Sequence, residues 1–172
     1  MKKNIVALLV ALLVLTGCTS APSTKDVKLE EIHTAIKEAY GEDYIPNMEY
    51  EPELLEMEFG LTPDLYDEVI AELSMMTMHV DRLVIVRAKE ASADKVEELL
   101  NAARDRKIED TFAYPMNIAR LNETQVVRQG DIMAFMILGA YPADDVIDEE
   151  EQIKFAKDEI QKGVDAFNSV FK

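Results

Sequence analysis

The sequence predicts an α+β domain: a small, mainly antiparallel three-stranded sheet with helices packed on one face, preceded by N-terminal helices. Three observations lead there. The run Leu83-Val84-Ile85-Val86 is apolar on both faces, as for a central strand. Two short segments that read as strands, Thr124 to Arg128 and Ile132 to Leu138, flank Gln129-Gly130 in the manner of a hairpin. The segments before and after them repeat their apolar residues at helical spacing. The order of helices, strand, helix, hairpin and helix is that of an α+β domain.

Taken in chain order, Asp26 to Tyr40 places Leu29, Ile32, Ala35, Ile36, Ala39 and Tyr40 on one helical face, and Gly41 can end that helix. Tyr44 to Glu58 is irregular and acidic, with a helical turn expected at Glu53 to Phe59. Thr62-Pro63-Asp64 reads as a helix start, because Thr62 can cap, Pro63 suits the first helical position and Asp64 complements the dipole. Leu65, Tyr66, Val69, Ile70 and Leu73 follow as its apolar stripe. The first strand is expected over Thr77 to Ala88. Ser92 can cap the next helix, which runs to about Asp110 and buries Val96, Leu99, Leu100 and Ala103. A short helix is expected over Pro115 to Leu121. Asp148, with Glu151 three residues on, resembles a capping box for a long final helix, about 149–171. Its seam is Ile153, Ala156, Ile160, Val164, Phe167 and Phe171.

The N-terminus lies outside this pattern. Lys2 and Lys3 precede eleven residues, Ile5 to Leu15, without one polar side chain. As a helix they would span about 16 Å, half of a bilayer core, so they read as a signal-peptide core and not a membrane span. The run ends in Leu15-Thr16-Gly17-Cys18, which resembles the lipobox of bacterial lipoproteins. That resemblance implies cleavage before Cys18 and a diacylglycerol on its sulfur, and two acyl chains anchor stably where one does not. The chain then divides into a signal peptide (1–17), a lipidated Cys with a short tether (18–25) and a single α+β domain (26–172). Seven small, polar tether residues, Thr19 to Lys25, reach at most about 25 Å, which holds the domain close to the extracytoplasmic face of the cell membrane.

Composition narrows the function. The chain carries 34 acidic against 18 basic residues, a formal charge of −16, and loss of Lys2 and Lys3 takes it to −18. Phosphate recognition needs clustered Lys and Arg, so no nucleic-acid partner is expected. One cysteine excludes an internal disulfide framework and a thiolate zinc cage.

No constellation rises to a catalytic or metal site. Met75, Met76, Met78 and His79 offer thioethers and an imidazole suited to copper(I). In a strand from Thr77, however, Met76 and Met78 would face one way and His79 the other, and Met133 and Met136 split likewise. His33, near Glu30 and Lys37, is expected to be solvent-exposed. The acidic groups Glu49, Glu51, Glu53, Glu56, Glu58 and Asp144, Asp145, Asp148, Glu149, Glu150, Glu151 lack the spacing of a calcium loop. Ser92-Ala93-Asp94-Lys95 matches Ser-x-x-Lys only as a string, and a capping Ser beside a surface Lys accounts for it. Converging carboxylates for glycoside chemistry would want aromatic stacking faces, yet Trp is absent. Asn122-Glu123-Thr124 is a sequon by letter only. Catalytic residues, metals and cofactors are therefore expected to be none.

The lipobox, the tether, Thr62-Pro63-Asp64, Ser74-Met75-Met76-Thr77-Met78 before an apolar strand ending in Arg87-Ala88-Lys89, Lys95-Val96-Glu97, and Arg128-Gln129-Gly130-Asp131 together resemble the family called domain of unknown function 4358, small lipoproteins of Gram-positive bacteria. The resemblance covers roughly Val27 to Leu138. That family has no assigned activity, so no catalytic residues carry over. The acidic linker and long helix after Gly139 extend past its usual ending. The function expected is a non-catalytic, lipid-anchored binding or accessory module of the cell envelope, which would bind a peptide, an envelope protein or a small ligand, or support a neighbouring membrane complex. The alternatives are a small envelope hydrolase using carboxylates and a Met/His copper-handling lipoprotein.

Overall fold

The computed structural model describes residues 24–110, 112–143 and 145–171. Two strands organise it. β3 (Arg82–Ala88) holds Leu83, Val84, Ile85 and Val86 at 0% exposure, and β5 (Ile132–Ile137) buries all six of its residues. They pair antiparallel, with Val84 opposite Phe135. Strands apolar on both faces cannot leave either face to water. The sheet accordingly has helices on both sides, a correction to the one-sided packing expected.

α1 (Leu29–Tyr40) and α5 (Glu149–Ser169) cover one face, packing on Leu83, Ile85, Ile132, Ala134 and Met136. α2 (Pro52–Phe59) and α3 (Ala93–Ile108) cover the other, over Val84, Val86, Met133, Phe135 and Ile137. α4 (Pro115–Asn122) bridges α3 and α5 at one end.

The sheet has five strands, not three, in the order β1-β2-β3-β5-β4, all pairs antiparallel. β1 (Met48–Glu49) and β2 (Tyr66–Leu73) are the additions. β2 replaces the helix expected after Thr62-Pro63-Asp64. Those residues instead close a turn in which the Leu65 N–H donates to the Thr62 carbonyl at 2.9 Å. The fixed φ of proline serves the second position of a turn as well as the first turn of a helix. The spacing of Tyr66, Val69, Ile70 and Leu73 fits a helix, but pairing along the whole of β3 overrides it. β3 itself begins at Arg82, so Met75 to Val80 form the β2–β3 connection and not strand.

Other expectations stand close to the observed elements. β4 (Gln125–Gln129) and β5 form the hairpin, with Gly130-Asp131 as the turn and Gly130 at φ +62°, where a side chain would strain the backbone. Asp148 caps α5, its carboxylate accepting the Glu151 N–H at 3.0 Å. α1 and α5 approach closely at Gly163. The Tyr40 hydroxyl accepts the Gly163 N–H at 3.1 Å and donates to the Glu159 carbonyl at 3.0 Å. A Cβ at position 163 would lie 2.7 Å from that hydroxyl, so only glycine fits. Burial pushes the Tyr40 ionisation upward, which keeps it a donor.

One carboxylate ties three elements on the second face. Glu58, at the end of α2, accepts from the Tyr50 hydroxyl at 2.9 Å and from Arg82 on β3 at 2.7 Å. Lys107 of α3 sits 2.8 Å from it. Burial opposes its ionisation, but Arg82 and Lys107 outweigh that and hold its carboxyl below the usual range.

Two predictions follow from this packing. Phe135→Ala and Met136→Ala, neighbours on opposite faces, should each cost about 2–5 kcal/mol in urea unfolding. Tolerance of either would mean that its face is not a core. Because the folded carboxyl of Glu58 is depressed, its contribution is present above the unfolded value and fades as pH falls below about 4. Glu58→Gln should therefore differ most from the parent above pH 5, and the gap should narrow in acid. A gap independent of pH would rule out the ionic role.

Candidate functional site

β1 is only two residues long, pairing Met48 with Leu73 and Glu49 with Glu72. Just past it the Tyr50 N–H donates to the Ala71 carbonyl at 3.0 Å. The chain then turns away into α2, whose Pro52 offers no N–H to extend a ladder. Among the described residues no strand pairs the outer side of β2 from Tyr66 to Ile70. Backbone groups alternate sides along a strand, and Ala71 faces outward to Tyr50. Val69, two residues earlier, therefore presents its N–H and C=O to the same open side.

A cavity of about 350 Å³ wraps this bare edge. Glu49, Glu72, Ile70 and His33 line it on the α1 side. Tyr50, Pro52, Leu55, Tyr66, Val69 and Ala71 line it on the α2 side. The walls combine aromatic and aliphatic surface with a few convergent polar groups, the composition of a binding site.

The polar groups are organised around Glu72. Its Oε2 accepts from the Tyr44 hydroxyl at 2.6 Å and lies 3.1 Å from His33 Nε2. Burial, then the hydrogen bond to Glu72, pushes the Tyr44 phenol far upward, so it remains a donor. Lys37 stands 5.1 Å over the Tyr44 ring. None of the described residues donates to the other Glu72 oxygen. Glu49, directly opposite on β1 and on the same face, is exposed and forms no ion pair among the described residues. The cavity thus carries two carboxylates with no Lys or Arg against them. His33 is correspondingly half-buried against Glu72 and not solvent-exposed as expected, because β2 brings that glutamate beneath α1.

The opposite end of the cluster of sequence candidates is structural in character. Met75, Met76 and Met78 are exposed on the β2–β3 connection. The His79 ring stands edge-on to Tyr141 with centroids 5.4 Å apart, its Nδ1 3.7 Å from Asp81. Asp81, at 0% exposure, accepts two hydrogen bonds from Arg120 of α4, at 3.0 and 2.5 Å. Arg120 also donates to the Gly139 carbonyl at 2.7 Å and lies over the Tyr141 ring. Burial would discharge this guanidinium, but Asp81 outweighs it and raises its pKa. Glu159 accepts from the Ala140 N–H and pairs with Lys162. Ser92 makes no side-chain cap to α3, and Lys95 reaches Glu98. Thr124 of the sequon is buried and donates to the Leu121 carbonyl. No group of three or more His, Cys, Asp or Glu among the described residues is arranged to hold a metal. Leu15, Thr16, Gly17 and Cys18 lie outside the described residues, as does Asp144.

Sequence reasoning missed the edge cavity. Its residues come from an irregular stretch (Glu49, Tyr50), two helices (His33; Pro52, Leu55) and a strand that carries a helical pattern (Tyr66 to Glu72). No motif joins them; only the β1–β2 pairing does.

The architecture defines an α+β domain with an open five-stranded antiparallel sheet covered by helices on both faces. A family model described as a domain of unknown function, DUF4358, matches residues 39–138, and the chain belongs to that family. The resemblance read over Val27 to Leu138 is thus shown from residue 39 onward. The matched segment holds all five strands and α2 to α4, whereas α5 and most of α1 lie outside it. No curated protein and no solved structure matches the chain.

The buried ion pair yields a direct test. Arg120→Met should cost about 3–5 kcal/mol, because it strands the Asp81 carboxylate in the interior. Asp81→Leu combined with Arg120→Met should cost less than the sum of the two single changes in urea unfolding. Additive costs would mean that the two groups act independently.

Proposed function

We propose that the protein is a lipid-anchored, non-catalytic binding module on the extracytoplasmic face of a bacterial membrane. The observation that carries the binding role is the unpaired edge of β2, set in a cavity walled by Tyr50, Tyr66 and Val69. Edge strands are normally short or covered, because open backbone groups recruit other chains. Here the covering strand stops after two residues.

The non-catalytic reading is supported by the state of the buried carboxylates. Asp81 is taken up by Arg120, Glu58 by Arg82, Lys107 and Tyr50, and Glu159 by Lys162 and the Ala140 N–H. Such groups tie elements together and leave little capacity for proton transfer. The location rests on the charged start, the apolar core and Leu15-Thr16-Gly17-Cys18. Among the described residues no helix is long and apolar enough to cross a membrane. Thr24, where the described chain begins, sits beside Gly130 and accepts from Arg87 at 3.2 Å. Thr24 thus lies at the β4–β5 turn end of the sheet, and the Met75 to Met78 connection lies at the other end.

Cys18→Ala in the producing bacterium should release the protein from the membrane fraction or leave the uncleaved precursor there. Palmitate labelling should disappear with it. A cleaved Cys18→Ala chain that still sediments tightly with membranes would overturn the lipid anchor.

A further inference from the structure

We infer that the bare edge of β2 accepts an extended segment of another protein in which basic residues alternate with apolar ones. The inference rests on the binding role proposed above and names the class of partner. A strand laid along Tyr66 to Ile70 would continue the line of β1 past Tyr50. It would pair with the outward N–H and C=O of Val69, and such main-chain bonds supply affinity without regard to sequence.

Sequence preference comes from the two sides of the edge. Side chains of an added strand point alternately to opposite faces. On the α1 side they meet Glu49 and Glu72, two carboxylates that no Lys or Arg among the described residues neutralises. On the α2 side they meet Tyr66, Val69 and Pro52. One set of partner residues is therefore cationic and the other apolar. Lys and Arg suit the first set because their aliphatic stems can lie on Ile70 while the charged heads reach the acids.

The same charges exclude a second copy of this chain as the occupant. Its own β2 would bring Asp67 and Glu72, neither of them paired with a Lys or Arg among the described residues, against the acidic edge of the copy, on a molecule with a formal charge of −16. A basic partner meets attraction where a copy meets repulsion.

The test uses the full-length chain in a neutral detergent and a labelled, end-capped peptide, Lys-Val-Lys-Val-Lys-Val-Lys, read by fluorescence anisotropy. It should bind saturably at one site. The Glu-for-Lys version should not bind. The Lys peptide with N-methylated valines keeps charge and shape but lacks the donors, and should bind about tenfold more weakly or worse. Glu49→Lys, a change at an exposed residue, should weaken the parent peptide by a similar factor. Val69→Pro should do likewise, since it deletes an outward N–H and no bond to β3. If that variant does not fold, the N-methylated peptide carries the same comparison from the ligand side. Equal binding of parent and N-methylated peptides would reduce the site to surface charge and overturn the inference, as would no saturable binding of the parent. The Cys18→Ala fractionation is read independently, so failure of the peptide leaves the anchor standing, and failure of the anchor leaves the edge site standing.

Discussion

The rest of the structure depends on two adjacent strands that have no polar face. β3 and β5 sit side by side in the middle of the sheet, buried above and below. Water must be excluded from both sides at once, so one helical layer cannot suffice. α2 and α3 close one side; α1 and α5, from the two ends of the described chain, must meet to close the other. Their meeting explains Gly163, the Tyr40 hydroxyl bridge and the apolar seam that runs the length of α5. Polarity rises outward in the sheet. β4 is half-buried throughout, and the first half of β2 exposes Asp67 and Glu68.

Ion pairs do a different job from the core. Most of the acids are on the surface and serve solubility. The few that are buried each connect segments that hydrophobic packing alone would leave loose. Asp81 and Arg120 bind the start of β3 to α4 and, through the Gly139 carbonyl, to the chain leaving β5. Glu58 binds α2 to β3 and α3. A buried pair of this kind adds little net stability against an apolar substitute, but a missing partner is costly, so it specifies which segments meet. The β1–β2 edge departs from this pattern. Glu72 is held by a tyrosine and a histidine, Glu49 by no cation among the described residues, and the cavity beside them is open. Two carboxylates with no Lys or Arg partner among the described residues, next to backbone groups that no described strand pairs, differ in kind from the neutralised interior.

Elements whose signal is local were legible in the sequence. Asp148 caps α5 because a carboxylate there reaches the orphan N–H groups of the first turn regardless of what the helix packs on. The β4–β5 hairpin is specified by a glycine at the turn between two strand-forming segments, although the turn is Gly130-Asp131 and Gln129 belongs to β4. Elements whose state depends on a distant partner were not legible. Tyr66 to Leu73 satisfies a helical stripe and a strand alternation equally, and only pairing with β3 decides. The all-apolar Leu83 to Val86 run already demanded cover on two faces, yet which helix lies on which face is not written locally. His33 reads as a surface residue until β2 places Glu72 under it.

By itself, then, the sequence determined the acidic character, the two central strands, the hairpin and the capped final helix. Each follows from composition or from contacts a few residues apart. Tertiary structure alone decided that Thr62-Pro63-Asp64 turns instead of starting a helix, that the sheet has five strands, and that helices lie on both faces. It alone gathered His33, Glu49, Tyr50 and Glu72 from separate segments into one cavity. The physical reason is the same throughout: hydrogen bonds between strands and burial between layers join residues far apart in the chain, and their free energy exceeds the small local preferences that a sequence pattern records.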